Sequence, residues 1–137
     1  ALGLIQFERY PEMLAKRKKM IEKMDAAFAD INVAVLEHYG KEHASSGHLY
    51  IVRLLGKTRE QTNEVIEKMA ERGIATNVHY KPLPMMTAYK RMGFDIKNFP
   101  NAYHMFENEI TLPLNTKMTM EDVNYVIENF ADIVKSF

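Results

Sequence analysis

The stretch NVHYKPLP, Asn77 to Pro84, sets a histidine, a tyrosine and a lysine on consecutive positions just ahead of two prolines. His79 can donate, accept or carry charge near neutral pH. Tyr80 offers a flat apolar face and a hydroxyl, and Lys81 is a point cation suited to phosphate. The residue before a proline is held extended, and Pro82 and Pro84 stiffen the segment. Side chains projecting from it therefore lose little entropy on binding. Such a set suits a polar, anionic small molecule such as a nucleotide sugar. The same residues also read as a rigid crossover with a core tyrosine and a hydrogen-bonded histidine. His48 and Tyr50, on a neighbouring strand, read as core residues before ligands.

Other chemistries are narrowed by composition. His38, His43 and His48 recur at intervals of five, which puts them on one face of neither a helix nor a strand, and Gly40 and Gly47 interrupt the run. No metal site is expected. The chain has no cysteine, which removes disulfides, thiolate catalysis and thiolate metal sites together and fits a cytoplasmic protein. Its 18 acidic and 18 basic residues cancel, against the basic footprint of a nucleic-acid binder and against an anionic-membrane binder. No apolar run approaches the roughly 20 residues needed to span a bilayer. In Lys16-Arg17-Lys18-Lys19 the helical wheel spreads the charges around a solvated cylinder. Only Arg17 falls on the apolar face, either snorkelling or pairing with a carboxylate at a domain contact.

The elements that must position the elbow follow from periodicity. The 137 residues read as one domain, long enough to bury about two-thirds of the unfolded surface. Residues 1–31 read as a helix, broken or bent near Pro11, with apolar positions at 13, 20, 21, 24, 27, 28 and 31. A short strand is expected over 32–36 and a buried one over 48–55. Thr58 with Gln61 forms a capping box for a helix whose Thr62, Val65, Ile66, Met69 and Ala70 share one side, ended by Gly73. Residues 74–80 read as the next strand, with Ile74, Thr76, Val78 and Tyr80 on one side and Ala75, Asn77 and His79 on the other. Strand, helix and strand make a βαβ unit, parallel if the strands are neighbours. Short helices are expected over 85–92 and from Pro100 to about Glu107. A third strand lies in EITLPL. Thr119 and Asp122 cap a final helix, with Val123, Val126, Ile127, Phe130, Ile133, Val134 and Phe137 lining its buried face. The fold class is α/β (α+β): a small three- to four-stranded sheet covered by helices.

The order of these motifs resembles the C-terminal domain of the DegT/DnrJ/EryC1/StrS family of pyridoxal-phosphate-dependent sugar aminotransferases. The resemblance runs from ALGLIQFERYPEMLAKRKKM through HLYIVRL and ERGIATNVHYKPL to FPNAYHMFENEITLPLNTKMTMEDVNYVI, nearly the whole chain. It implies the small domain of a fold-type-I homodimer that transfers an amino group from an amino donor to a keto-sugar nucleotide. Residues 1–31 would lead out of a preceding large domain, which would hold pyridoxal phosphate and supply the Schiff-base lysine. No catalytic residue is then expected in this chain. His79 and Tyr80 match the family's HY at the substrate side, and Lys81 joins them on its charge alone. Where the family often continues HY-PLH, this chain has Pro84, so any contact of that second histidine is in doubt. Some family members carry a histidine in place of the lysine and dehydrate sugars with pyridoxamine phosphate, and that alternative stays open. A free-standing ferredoxin-like binding module is the other; the uncapped first helix, with Arg17 on its apolar face, counts against it.

Overall fold

The computed structural model describes residues 2–137. Helix α1 (Leu2–Phe28) runs unbroken through Pro11 and ends three residues short of the predicted boundary. Proline removes one amide donor, but the turns around Pro11 are solvent-exposed, so water takes the carbonyl left unpaired. Further along, α1 sets Met20, Ile21, Met24 and Phe28 into the core. Ala27, expected on that face, is exposed. Arg17 has no carboxylate partner among the described residues; its Nη1 donates to the Ser46 carbonyl at 3.2 Å.

Three antiparallel strands follow, β1 (Val33–Val35), β2 (Tyr50–Leu54) and β3 (Glu109–Leu112), in the order β1-β2-β3. Val35, Val52 and Ile110 stand in one row across the sheet, and Ala34, Arg53 and Glu109 in the next. Because successive side chains point to opposite faces, Tyr50, Val52, Leu54, Ile110 and Leu112 all reach the core side. There they meet α1, α2 (Arg59–Glu71) and α5 (Met120–Lys135). The Phe28 and Phe130 rings meet edge-on at 5.1 Å. Tyr50 is a core residue whose hydroxyl donates to Asp25 at 2.7 Å; burial, then that bond, raises its pKa far above the ordinary phenol value. The opposite face carries Ile51, Arg53, Glu109 and Thr111.

Local chemistry sets the helix ends as the sequence predicts. Thr58 with Gln61, and Thr119 with Asp122, form complete capping boxes. The Thr119 bonds, backbone amide first, hold the Asp122 carboxyl below its ordinary value. Gly73 closes α2 at φ +72°, with its amide on the Ala70 carbonyl and that of Ile74 on the Met69 carbonyl, the paired bonds of a Schellman end. On α2, Thr62, Val65 and Met69 are buried, while Ala70 faces solvent.

The βαβ expectation needs correction. Residues 74–80 form no strand; only Asn77 pairs, antiparallel, with Thr111. Since β3 is itself antiparallel to β2, the segment does run parallel to β2, but with β3 between them. Side chains interrupt its ladder. The Val78 amide donates to the Asn77 side chain at 2.8 Å and the His79 amide to the Glu109 carboxylate at 3.0 Å. Beyond it, a 3₁₀ turn (Leu83–Met85) leads to α3 (Thr87–Arg91) and then to α4 (Pro100–Glu107).

Candidate functional site

The sheet face away from the core is only partly covered. The elbow at His79 and Tyr80 stands on one side and α4 on the other, and between them lies an open cleft of about 260 Å³. Ile51, Arg53 and Glu109 line its floor, and Ala102, Met105 and Phe106 line the α4 wall. Apolar walls with a few convergent polar groups are the usual make-up of a small-molecule site.

His79 is anchored in this cleft at both its backbone and its ring. Its amide donates to Glu109 Oε2 at 3.0 Å, and its Nδ1 lies 2.9 Å from Thr111 Oγ1. The Thr111 hydroxyl in turn donates to Glu109 Oε1 at 2.6 Å. Glu109 and Thr111 are 4% and 6% exposed, so water competes little for these bonds. The His79–Tyr80 peptide is cis. The Tyr80 ring meets that of His79 edge-on at 4.8 Å and is 72% exposed, an apolar face open to a ligand.

Arg53 ties the α4 wall to the sheet. Its Nε donates to Asn108 Oδ1 at 3.0 Å and its Nη2 to the His104 carbonyl at 3.3 Å. Arg59 adds bonds from Nη1 to the carbonyls of Phe106 (2.9 Å) and Glu109 (3.3 Å), and its guanidinium lies over the Phe106 ring at 5.1 Å. Burial holds the pKa of Arg59 below the ordinary arginine value, against the opposing charge of Glu109. The unpaired carbonyls at the end of a helix favour cations, and here two arginines from elsewhere in the chain supply them.

The structure thus brings His79 and Tyr80 together on the cleft. Lys81 is exposed and does not line it. His48 is exposed and lies outside it, beside Asn77 and the far side of His79. His38, His43 and His48 do not converge, and no group of three potential metal ligands occurs among the described residues. His38 is buried and stacks on Tyr50, with ring centroids 5.7 Å apart. Sequence reasoning missed Arg53, Glu109 and Thr111. The alternation within HLYIVRLL and EITL carried the signal, since each lies opposite the core-facing residues of its strand.

Residues 1–131 match the model of the DegT/DnrJ/EryC1/StrS aminotransferase family. The spore coat polysaccharide biosynthesis protein SpsC of Bacillus subtilis is 31% identical over 98% of this chain and 36% of its own length. The UDP-4-amino-4,6-dideoxy-N-acetyl-beta-L-altrosamine transaminase of Helicobacter pylori is 28% identical over 100% of this chain and 36% of its own. Among solved structures, Spr1654 of Streptococcus pneumoniae, described as a sugar aminotransferase and solved in apo, PMP and PLP forms, is 49% identical with a TM-score of 0.96. The match covers 98% of this chain and 34% of that one. The chain therefore spans about a third of the length of these relatives. It belongs to the DegT/DnrJ/EryC1/StrS aminotransferase family.

Proposed function

We propose that this chain is the C-terminal small domain of a pyridoxal-phosphate-dependent aminotransferase that aminates a keto-sugar nucleotide, and that the cleft at His79 is one wall of its substrate site. The observation that carries the proposal is the pairing of a doubly anchored His79 with an exposed Tyr80 ring above a polar strip of the sheet. The sugar would meet the imidazole and the tyrosine face, as flat side chains commonly support sugars and bases through their apolar faces. Arg53, at the floor, is the cation that lines the cleft and would face an anionic group of the substrate, with Lys81 a second one outside it.

The residues present do not fit the cofactor itself. No lysine or glycine lines the cleft, so it offers neither a Schiff-base amine nor a close backbone approach for a phosphate. Pyridoxal phosphate would be held by the part of the protein outside this chain and would supply the electron sink for amino transfer there. The share of this chain is binding, orientation and exclusion of water.

The test uses the full-length enzyme with UDP- and dTDP-linked 4-keto sugars. His79→Ala should raise KM for the sugar nucleotide about tenfold or more, the loss of one buried hydrogen bond and its packing, with cofactor absorbance unchanged. Tyr80→Phe should have a smaller effect in the same direction. Unchanged kinetics in both variants would overturn the proposal.

A further inference from the structure

We propose that Glu109 and Thr111 are positioning residues that hold His79 in its Nδ1–H tautomer, so that Nε2 presents a lone pair to a sugar hydroxyl. This rests on the substrate reading above and adds to it which atom receives the substrate and what sets it.

The protons along the relay can be counted. As a carboxylate, Glu109 has only acceptor sites. Its Oε2 is taken by the His79 amide, and its Oε1 lies 2.6 Å from Thr111 Oγ1. The single proton of the Thr111 hydroxyl therefore points at Glu109. The oxygen of that hydroxyl has only lone pairs left for His79 Nδ1, 2.9 Å away. So Nδ1 must carry the hydrogen. In a neutral imidazole the other nitrogen is then the acceptor, and the hydrogen bond at one nitrogen sets the role of the other. Nε2 has no partner among the described residues and is not among the atoms sealed from solvent. It lies on the side of the ring away from Thr111. Glu109 thus anchors the residue twice, at its amide directly and at its ring through Thr111.

A near-isosteric change reverses the relay. In Glu109→Gln, the side-chain oxygen is still needed by the His79 amide, which leaves the NH₂ facing Thr111. The hydroxyl then accepts from Gln and donates its own proton to Nδ1, moving the ring proton to Nε2 and turning that atom from acceptor to donor. Thr111→Val removes the relay, while Thr111→Ser keeps it.

The experiment records nitrogen-15 spectra of the histidine-labelled full-length enzyme, together with KM for a UDP-linked 4-keto sugar. The expected result is Nδ1–H for His79 in the wild type and in Thr111→Ser, and Nε2–H in Glu109→Gln. KM should rise about tenfold in Glu109→Gln and in Thr111→Val, with the value restored in Thr111→Ser. A wild-type Nε2–H tautomer, or a Glu109→Gln ring that stays Nδ1–H in a folded protein, would overturn the relay whatever KM does. A switched tautomer with unchanged KM would instead overturn His79 as a substrate contact and leave the relay without the role proposed for it.

Discussion

Arg53 and Glu109 face each other directly across β2 and β3, yet each is committed elsewhere. The guanidinium reaches Asn108 and His104 on the α4 side, and the carboxylate reaches His79 and Thr111 on the elbow side. One row of the sheet thereby fixes both walls of the cleft. Arg53→Met should raise KM for the sugar nucleotide about tenfold by freeing the α4 wall and removing a cation. Arg53→Lys should not restore it, because a single ammonium cannot reproduce the forked contacts. Full recovery in the lysine variant would contradict this role.

Arg59 supports the same wall from behind. It bonds two carbonyls, one of them at the end of α4, and stacks on Phe106. Arg59→Leu leaves those carbonyls without their donor in a partly buried setting, and should cost about 2 kcal/mol of stability. Urea denaturation measures this directly, and an unchanged midpoint would show that water replaces the guanidinium.

His38 makes stability depend on pH. It is 5% exposed, and its Nε2 has no partner among the described residues. Burial holds its pKa below the ordinary histidine value of 6.5, against the opposing pull of Asp25. The unfolded chain therefore takes up a proton before the folded one does. Stability should be level above about pH 6.5 as far as this group is concerned, then fall as pH drops towards its folded pKa. Melting curves of the wild type and His38→Phe between about pH 7.5 and 5.5 should show a shallower decline in the variant. Equal slopes would contradict the assignment.

Two glycines with similar backbone angles separate conformational strain from crowding. Gly47 has φ +60° and Gly73 φ +72°, and an added Cβ costs roughly 1–2 kcal/mol in that region. At Gly73 the Cβ would meet open space, whereas at Gly47 it would come 3.0 Å from Ile21 Cδ1 and 3.2 Å from Arg17 Cβ. Gly47→Ala should therefore lower the melting temperature more than Gly73→Ala. The reverse order would show that the α1 contact yields easily.

These features differ in how legible they are. The capping boxes at Thr58 and Thr119, the Gly73 terminus and the apolar stripe of α5 depend on residues a few positions apart, and the sequence shows them. Residues 74–80 carry a strand-like alternation, but the partners that interrupt their ladder are the adjacent Asn77 side chain and Glu109, 30 residues away. His79 was visible as chemistry, but its orientation was not, because β3 supplies the residues that set it. Arg53 was legible in part. A lone arginine alternating with Tyr50, Val52 and Leu54 marks a second, polar face of the strand, although not what that face holds. Lys81 shows the converse: charge and a following proline suggest a contact, while nothing in its spacing directs it towards the cleft.

In the function proposed above, the sugar nucleotide lies against this cleft with a hydroxyl on His79. The most direct measurement is a crystal structure of the full-length enzyme with a UDP-linked amino-sugar product. The expected result is a sugar hydroxyl within hydrogen-bond reach of His79 Nε2, about 2.6–3.2 Å, with the Tyr80 ring against the sugar. A sugar seated elsewhere, with Nε2 facing only water, would contradict it.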